Sequence, residues 1–139
     1  MLLLGYLGLA FCGWAVTNVF QSFMAIGYLD SAIVSMRTLA AAEARFAEAH
    51  PSLGYTCTLS ELATDQMTAG PAKNGRRNGY SFQLTGCRER SGQEPKPGYT
   101  LTARPLHKGL PAFCADQSGI LRSDETGSVE KCLKSGAPL

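Results

Sequence analysis

The chain has 139 residues, of which 45% are hydrophobic and 17% are charged, and its formal net charge is +2. This length suits one small domain with an anchoring segment, and it excludes a large enzyme or a polytopic transporter. A nucleic-acid binder is disfavoured because no basic cluster exceeds Arg76–Arg77. The charges are unevenly placed, since residues 2–29 carry none and every Lys, Arg, Asp and Glu lies in residues 30–139.

The uncharged segment predicts a transmembrane helix over residues 1–29. A bilayer core about 30 Å thick needs about 20 helical residues. The alternative is a cleaved signal peptide, whose apolar region is usually about 7–15 residues long and follows basic residues. Here the apolar run is longer and no basic residue precedes it, so we expect a retained anchor.

The helical pattern continues beyond the uncharged segment. No proline occurs before Pro51, and residues 32–49 are rich in strong helix formers. We therefore expect one helix over residues 2–49, about 70 Å long at 1.5 Å per residue, with residues 30–50 outside the membrane. Positions spaced three and four apart should face the rest of the domain: Ala32, Ser35, Leu39, Ala42, Phe46 and Ala49.

Residues 51–139 predict a small α+β domain. Thr58 and Glu61 have capping-box spacing, which predicts a short helix near residues 59–65, and the turn-rich residues 68–79 predict an exposed loop. Residues 80–85 and 99–104 alternate apolar and polar side chains, which is typical of half-buried antiparallel strands. The segments AFCAD and ILRSD predict a hairpin, and the tail after them has no regular pattern.

The cysteines indicate the compartment. Cys12 lies within the predicted span, whereas Cys57, Cys87, Cys114 and Cys132 lie in the domain. An even number in a small domain suggests two disulfides and an oxidising environment. Three pairings are possible, and we favour Cys57–Cys87 with Cys114–Cys132 because each closes a compact sequential unit. The domain is thus predicted on the periplasmic or extracellular side of the cytoplasmic membrane.

The predicted span carries side chains suited to contact with other helices. Small residues at heptad spacing let helices approach closely in lipid, although such residues are also common in membrane helices generally. Polar amides in hydrocarbon need a hydrogen-bond partner, which favours another helix and, more rarely, a pigment's magnesium. The predicted partners are membrane lipid and transmembrane helices of the same or different subunits. The docking residues are Gly5, Gly8, Cys12, Ala15, Asn18 and Gln21.

The residues show no catalytic constellation. His50 and His107 have no acid nearby in a recognisable pattern, and Ser118 lacks the Gly-x-Ser-x-Gly context of a nucleophile. No cysteine pair has Cys-x-x-Cys spacing. We therefore expect no enzymatic activity, no catalytic residue, no cofactor and no small-molecule substrate.

Four segments in order carry a family resemblance: SAIVSMRTLAAAEARFAEAHPSLGYTCTLSEL, NGYSFQLTGC, GYTLTARPL and FCADQSGILRSDETGSVEKCLKSGAPL. With the hydrophobic helix before them, they resemble type IV pilins and type II secretion major pseudopilins, in particular the acidobacterial pilin-like proteins. The resemblance implies a long helix on a small antiparallel sheet with two disulfides, acting as a non-catalytic pilus or pseudopilus subunit. It also raises a calcium site at Asp116, Asp124 and Glu125, for which a solvated acidic turn is the alternative.

A second function stays open at this point. The span lacks the early glutamate that pilins carry and the proline that loosens their helix, and it holds polar amides instead. These departures favour an accessory subunit of a large membrane complex, respiratory or photosynthetic, built from a co-opted pilin fold.

Overall fold

A computed structural model describes the backbone of residues 3–64, 66–86 and 98–139, and the side chains of these residues except 3–21 and 66–67. The helices are α1 (Leu3–Ala49), a short 3-10 helix (Leu59–Leu62), α2 (Gln66–Asn74) and α3 (Val129–Ser135). The strands are β1 (Arg76–Arg77), β2 (Tyr80–Thr85), β3 (Thr100–Pro105), β4 (Ala112–Asp116), β5 (Arg122–Asp124) and β6 (Ala137–Pro138).

The six strands form one sheet in which every strand pairs with the next one along the chain, always antiparallel. The register pairs Tyr80 with Pro105 and Leu101 with Ala115. It also pairs Ala112 with Asp124. The α+β class with an antiparallel sheet is therefore confirmed.

Helix α1 packs across β3, β4 and α2. Its side chains Met36 and Leu39 are fully buried and form the core together with apolar residues of β2, β3 and β4. The predicted buried face is displaced at its C-terminal end, since Phe46 is only half-buried and Ala49 is exposed, whereas Glu43 is buried. At this end α1 borders the 3-10 helix and a groove that Phe46 and Ala49 help to line, which leaves both side chains partly accessible.

No helix in the part of the chain whose side chains are described is both long and apolar enough to cross a membrane.

The predicted strands are present, with one correction. Tyr80 and Phe82 of β2 point into the core while Gln83 is exposed, as the alternation predicts. On β3, however, Thr102 is buried although the pattern predicts it exposed. Helix α3 packs on β3, β4 and β5, so part of the second face of the sheet is covered as well.

The prediction of an exposed loop over residues 68–79 is wrong. Helix α2 occupies most of it, and Thr68, Pro71 and Ala72 are buried against the rest of the domain. Gly70 and Pro71 are poor helix formers, so propensity alone predicts a loop. The contacts of α2 with α1 and the 3-10 helix outweigh that local preference.

Two further local predictions need correction. The 3-10 helix begins near the predicted position, but the Thr58 side chain makes no capping hydrogen bond. The tail is not irregular, because it holds α3 and β6. The signal for α3 is Ser128, whose hydroxyl accepts a hydrogen bond from the backbone N–H of Lys131 as an N-cap does.

Candidate functional site

The first part of α1 with described side chains exposes large apolar groups. Phe23 is 70% exposed, Met24 is 44% exposed and Ile26 is 55% exposed. These residues lie four to seven positions before Asp30, the first charged residue of the chain. Neighbouring large apolar side chains left open on a domain are typical of a contact surface for another molecule. This segment of α1 is the candidate functional site.

One end of the sheet meets α1 just after that segment. The rings of Tyr28 and His107 stack with centroids 5.4 Å apart, and the Asn78 amide donates to the Ser31 hydroxyl at 2.9 Å. Gly79 is required here, because its φ is +78° and an added Cβ would lie 3.3 Å from the Tyr28 ring. The turn before β2 and the loop after β3 therefore lie beside α1 at the start of its packed half.

The opposite end of the sheet meets α1 near Glu43. Glu43 is buried, and its Oε2 accepts a hydrogen bond from the backbone N–H of Thr56 at 3.0 Å. The Thr56 hydroxyl in turn donates to the Glu61 carboxylate. Tyr55 packs edge-on against Tyr99 at 5.1 Å, and burial, assisted by the Glu43 charge, raises the pKa of Tyr99 to about 12. Sequence reasoning missed this polar cluster, for which a Glu on the apolar face of α1 is the signal.

A groove of about 360 Å³ lies at the C-terminal end of α1. Its floor is apolar, formed in part by Phe46 and Leu62, and His50 stacks on Phe46 at 4.3 Å. The His50 ring donates from Nδ1 to the Phe46 carbonyl at 2.9 Å, which holds the ring as a helix-terminating group. The residues that line the groove are Ala42, Arg45, Phe46, Ala49, His50, Glu61, Leu62 and Thr64.

The cysteine framework is present in the described part of the domain. Cys114 of β4 and Cys132 of α3 form a disulfide with their Cα atoms 6.0 Å apart, as predicted. Cys57 is also disulfide-bonded. Its predicted partner Cys87 lies outside the described residues, as does the side chain of Cys12. The Cys114–Cys132 bridge fixes α3 to the second face of the sheet.

The predicted calcium carboxylates do not share one site. Asp116 ends β4, whereas the register places Asp124 beside Ala112 at the other end of that strand, about 14 Å away at 3.4 Å per residue. Each carboxylate instead caps its own turn, and hydrogen bonds from Ser118 and Thr126 lower the pKa of Asp116 and of Asp124, respectively. Glu125 is exposed in the turn that follows Asp124.

The remaining predicted site residues are those expected to dock other helices. Gly5, Gly8, Cys12, Ala15, Asn18 and Gln21 belong to α1, but their side chains lie outside the described residues. Among the His, Cys, Asp and Glu side chains that are described, no three come together as a metal-binding group.

No protein-family model matches this chain, and neither does any curated protein or solved structure that was compared with it.

Proposed function

We propose that this chain is a non-catalytic, single-span structural subunit of the pilin or pseudopilin type, which enters a larger assembly through α1. The anchor would lie in the cytoplasmic membrane, with the sheet domain on the periplasmic or extracellular side. Partner helices of the same or different subunits would contact the helix within and just outside the bilayer.

The exposure of Phe23, Met24 and Ile26 is the observation that carries this proposal. The domain buries the face of α1 that begins near Ala32, yet it leaves these three apolar side chains uncovered. They adjoin an uncharged sequence whose apolar surface needs lipid or protein around it. In this arrangement one half of α1 packs on its own domain and the other half is left to contact other molecules. Such a helix is typical of a subunit that enters an assembly.

The disulfides support the proposed side of the membrane. Cys114–Cys132 joins β4 to α3, and Cys57 is bonded too. Such bonds persist in oxidising compartments and are rare where thiols are kept reduced.

The alternative is an accessory subunit of a respiratory or photosynthetic membrane complex. Asn18 and Gln21 favour it, because amides within a span are best satisfied by fixed neighbours. A filament subunit and an accessory subunit differ in their partners, which are copies of the chain in the first case and other proteins in the second.

Purification of the full chain from membranes tests the proposal. We expect the wild-type chain to resist alkaline extraction and to leave detergent extracts in an assembly larger than a monomer. Replacing Phe23 and Ile26 together with Lys should release the chain from that assembly. Ile120→Lys together with Leu133→Lys is the matched control, because it adds the same two charges at apolar positions outside α1 that are 47% and 45% exposed.

The outcomes separate the two functions. Filaments made of this chain alone support the pilus-like function, and a fixed complex with other proteins supports the accessory function. Recovery of the wild-type chain as a soluble monomer would contradict both.

A further inference from the structure

One end of the sheet domain lies at the level where α1 leaves the predicted span. The Asn78 amide donates to the Ser31 hydroxyl at 2.9 Å, and the His107 ring stacks on Tyr28 at 5.4 Å. The turn before β2 and the loop after β3 therefore lie within about one helical turn of the end of the span predicted over residues 1–29.

This end of the domain exposes an apolar side chain among basic ones, and it is here called the basal surface. Leu106 is 49% exposed, and Lys108 follows in the same loop. The Leu106 N–H donates to the Gly79 carbonyl at 2.8 Å, which holds this loop against the turn that follows β1. Five exposed residues form the basal surface: Arg76, Asn78, Leu106, His107 and Lys108.

The basal surface supplies cations that the sequence around the predicted span lacks. Residues 1–29 contain no Lys or Arg, and the first charge after them is the carboxylate of Asp30. Aromatic and basic side chains are the usual anchors of a span at the level of the lipid headgroups. Here the fold brings Arg76 and Lys108, which lie far along the chain, to the level of Tyr28.

The carboxylates near the basal surface do not cancel its charge. Asp124 accepts hydrogen bonds within its own turn, and Glu130 pairs with Arg104 at 2.8 Å. Among the described residues, Asp30 and Glu125 are the other acidic groups at this end. The basic side chains of β1 and of the loop after β3 outnumber these two, so the excess charge is positive.

From this placement we infer that the basal surface binds the headgroups of anionic phospholipids in the leaflet from which α1 emerges. The inference rests on the proposed function, since it needs α1 to span the bilayer, and it adds a lipid contact of the folded domain to that of the helix. Arg76 and Lys108 contact phosphate oxygens, while Leu106 inserts among the uppermost acyl carbons. Each basic residue close to an anionic surface strengthens binding about fivefold.

The geometry favours lipid over a protein as the occupant. The basal surface faces along α1 toward its uncharged segment, so a bilayer around that segment lies directly opposite the surface. At 1.5 Å per residue, Tyr28 and Ser31 are within about 3 Å of residue 29 along the helix axis. This spacing leaves no room for a soluble protein between the domain and the headgroups.

A tryptophan reporter in the full chain tests the inference. Trp14 is the single tryptophan, so Trp14→Phe gives a background in which Leu106→Trp reports on the basal surface. In nanodiscs of equal parts phosphatidylcholine and phosphatidylglycerol, we expect its emission to shift to shorter wavelength and to be quenched by lipids brominated near the headgroup. Both effects should be absent in phosphatidylcholine alone. Ile120→Trp in the same background is the matched control, because Ile120 is 47% exposed at the opposite end of the sheet.

Neutral substitutions in the reporter chain identify the groups that bind. Arg76→Gln and Lys108→Gln should each lower the ratio of docked to undocked domains, measured by the emission shift, about fivefold. Lys134→Gln is the matched control, because Lys134 is exposed where α3 ends beside Arg122, away from the basal surface. At about 1 M salt the Debye length is about 3 Å, so the shift should disappear. An equal loss in Lys134→Gln would trace the effect to net charge and overturn the inference.

The inference and the proposed function fail differently. A chain that is recovered outside the nanodiscs overturns both. A chain that is embedded, but whose Leu106→Trp emission is the same in the two lipid compositions, overturns the inference alone. A shift that appears only when other membrane proteins are present assigns the basal surface to a protein partner and also overturns the inference.

Discussion

The Glu43 carboxylate on α1 accepts a hydrogen bond from the backbone N–H of Thr56 at 3.0 Å, and both residues are buried. Thr56 lies in the segment that returns from the helix end toward the 3-10 helix, and its hydroxyl donates to Glu61. A buried N–H needs an acceptor, and this one is supplied by a side chain on the preceding helix rather than by a strand. The bond thus fixes the path by which the chain leaves α1.

Replacing Glu43 with Leu should lower the free energy of unfolding by about 1–3 kcal/mol, because the Thr56 N–H would stay buried without its acceptor. Glu43→Gln keeps an oxygen at that position and should cost less. Denaturant titration of the full chain in mild detergent measures both. A Gln variant as unstable as the Leu variant would show that the negative charge, not the acceptor, is what stabilises this corner.

Leu39→Ala should destabilise the domain by about 2–5 kcal/mol, because Leu39 is fully buried between α1 and the sheet. Phe46→Ala should cost less than Leu39→Ala although it removes more atoms, since Phe46 is only half-buried beside the groove. The two losses are compared by the denaturant concentrations at the unfolding midpoints, provided that the dependence of the unfolding free energy on denaturant is the same in both variants. The opposite ranking would mean that the C-terminal turn of α1 is more tightly packed than its exposure indicates.

Removing the Cys114–Cys132 disulfide with a Cys114→Ser and Cys132→Ser pair should cost about 3 kcal/mol by loop entropy for the 18-residue separation. The loss should be concentrated in α3, which the bridge fixes to β4. Hydrogen exchange of the α3 amides reports this directly. Exchange that accelerates equally in β2, whose contacts do not include the bridge, would argue against a local role.

Alkaline titration should reveal two tyrosines that ionise late. Burial, followed by the Glu125 charge, raises the pKa of Tyr80 to about 12, and burial with the Glu43 charge does the same for Tyr99. The pKa of each tyrosine is therefore higher in the folded chain than in the unfolded chain. Their contribution to the free energy of unfolding is complete below pH 10 and falls as the pH rises toward 12. Tyrosinate absorbance follows the ionisation, and Tyr80→Phe and Tyr99→Phe should each remove one late component. A variant that still shows two late components would assign one of them to another tyrosine.

The elements that sequence predicts well are those set by side-chain periodicity. Leu39 and Ala42 follow the helical spacing of α1, and Tyr80 and Phe82 follow the strand alternation of β2, so their burial is readable in advance. The Cys114–Cys132 disulfide was also predicted correctly, from the positions of the cysteines along the chain.

The elements that sequence misses depend on contacts far along the chain. Helix α2 forms around Gly70 and Pro71 because α1 and the 3-10 helix cover it, and Thr102 is buried because α3 lies over its face of the sheet. The candidate calcium residues Asp116 and Asp124 are close in sequence, but the strand register separates them.

The order of the sheet strands has a consequence for how the domain folds during synthesis. Because each strand pairs with the next one along the chain, the sheet grows by closing short loops, which costs little entropy and favours fast folding. Helix α1 is made first but needs β3 and β4 to cover Met36 and Leu39. Its apolar side therefore stays open until β4 has emerged, and during that interval a holding chaperone or the membrane surface would protect the nascent chain from aggregation.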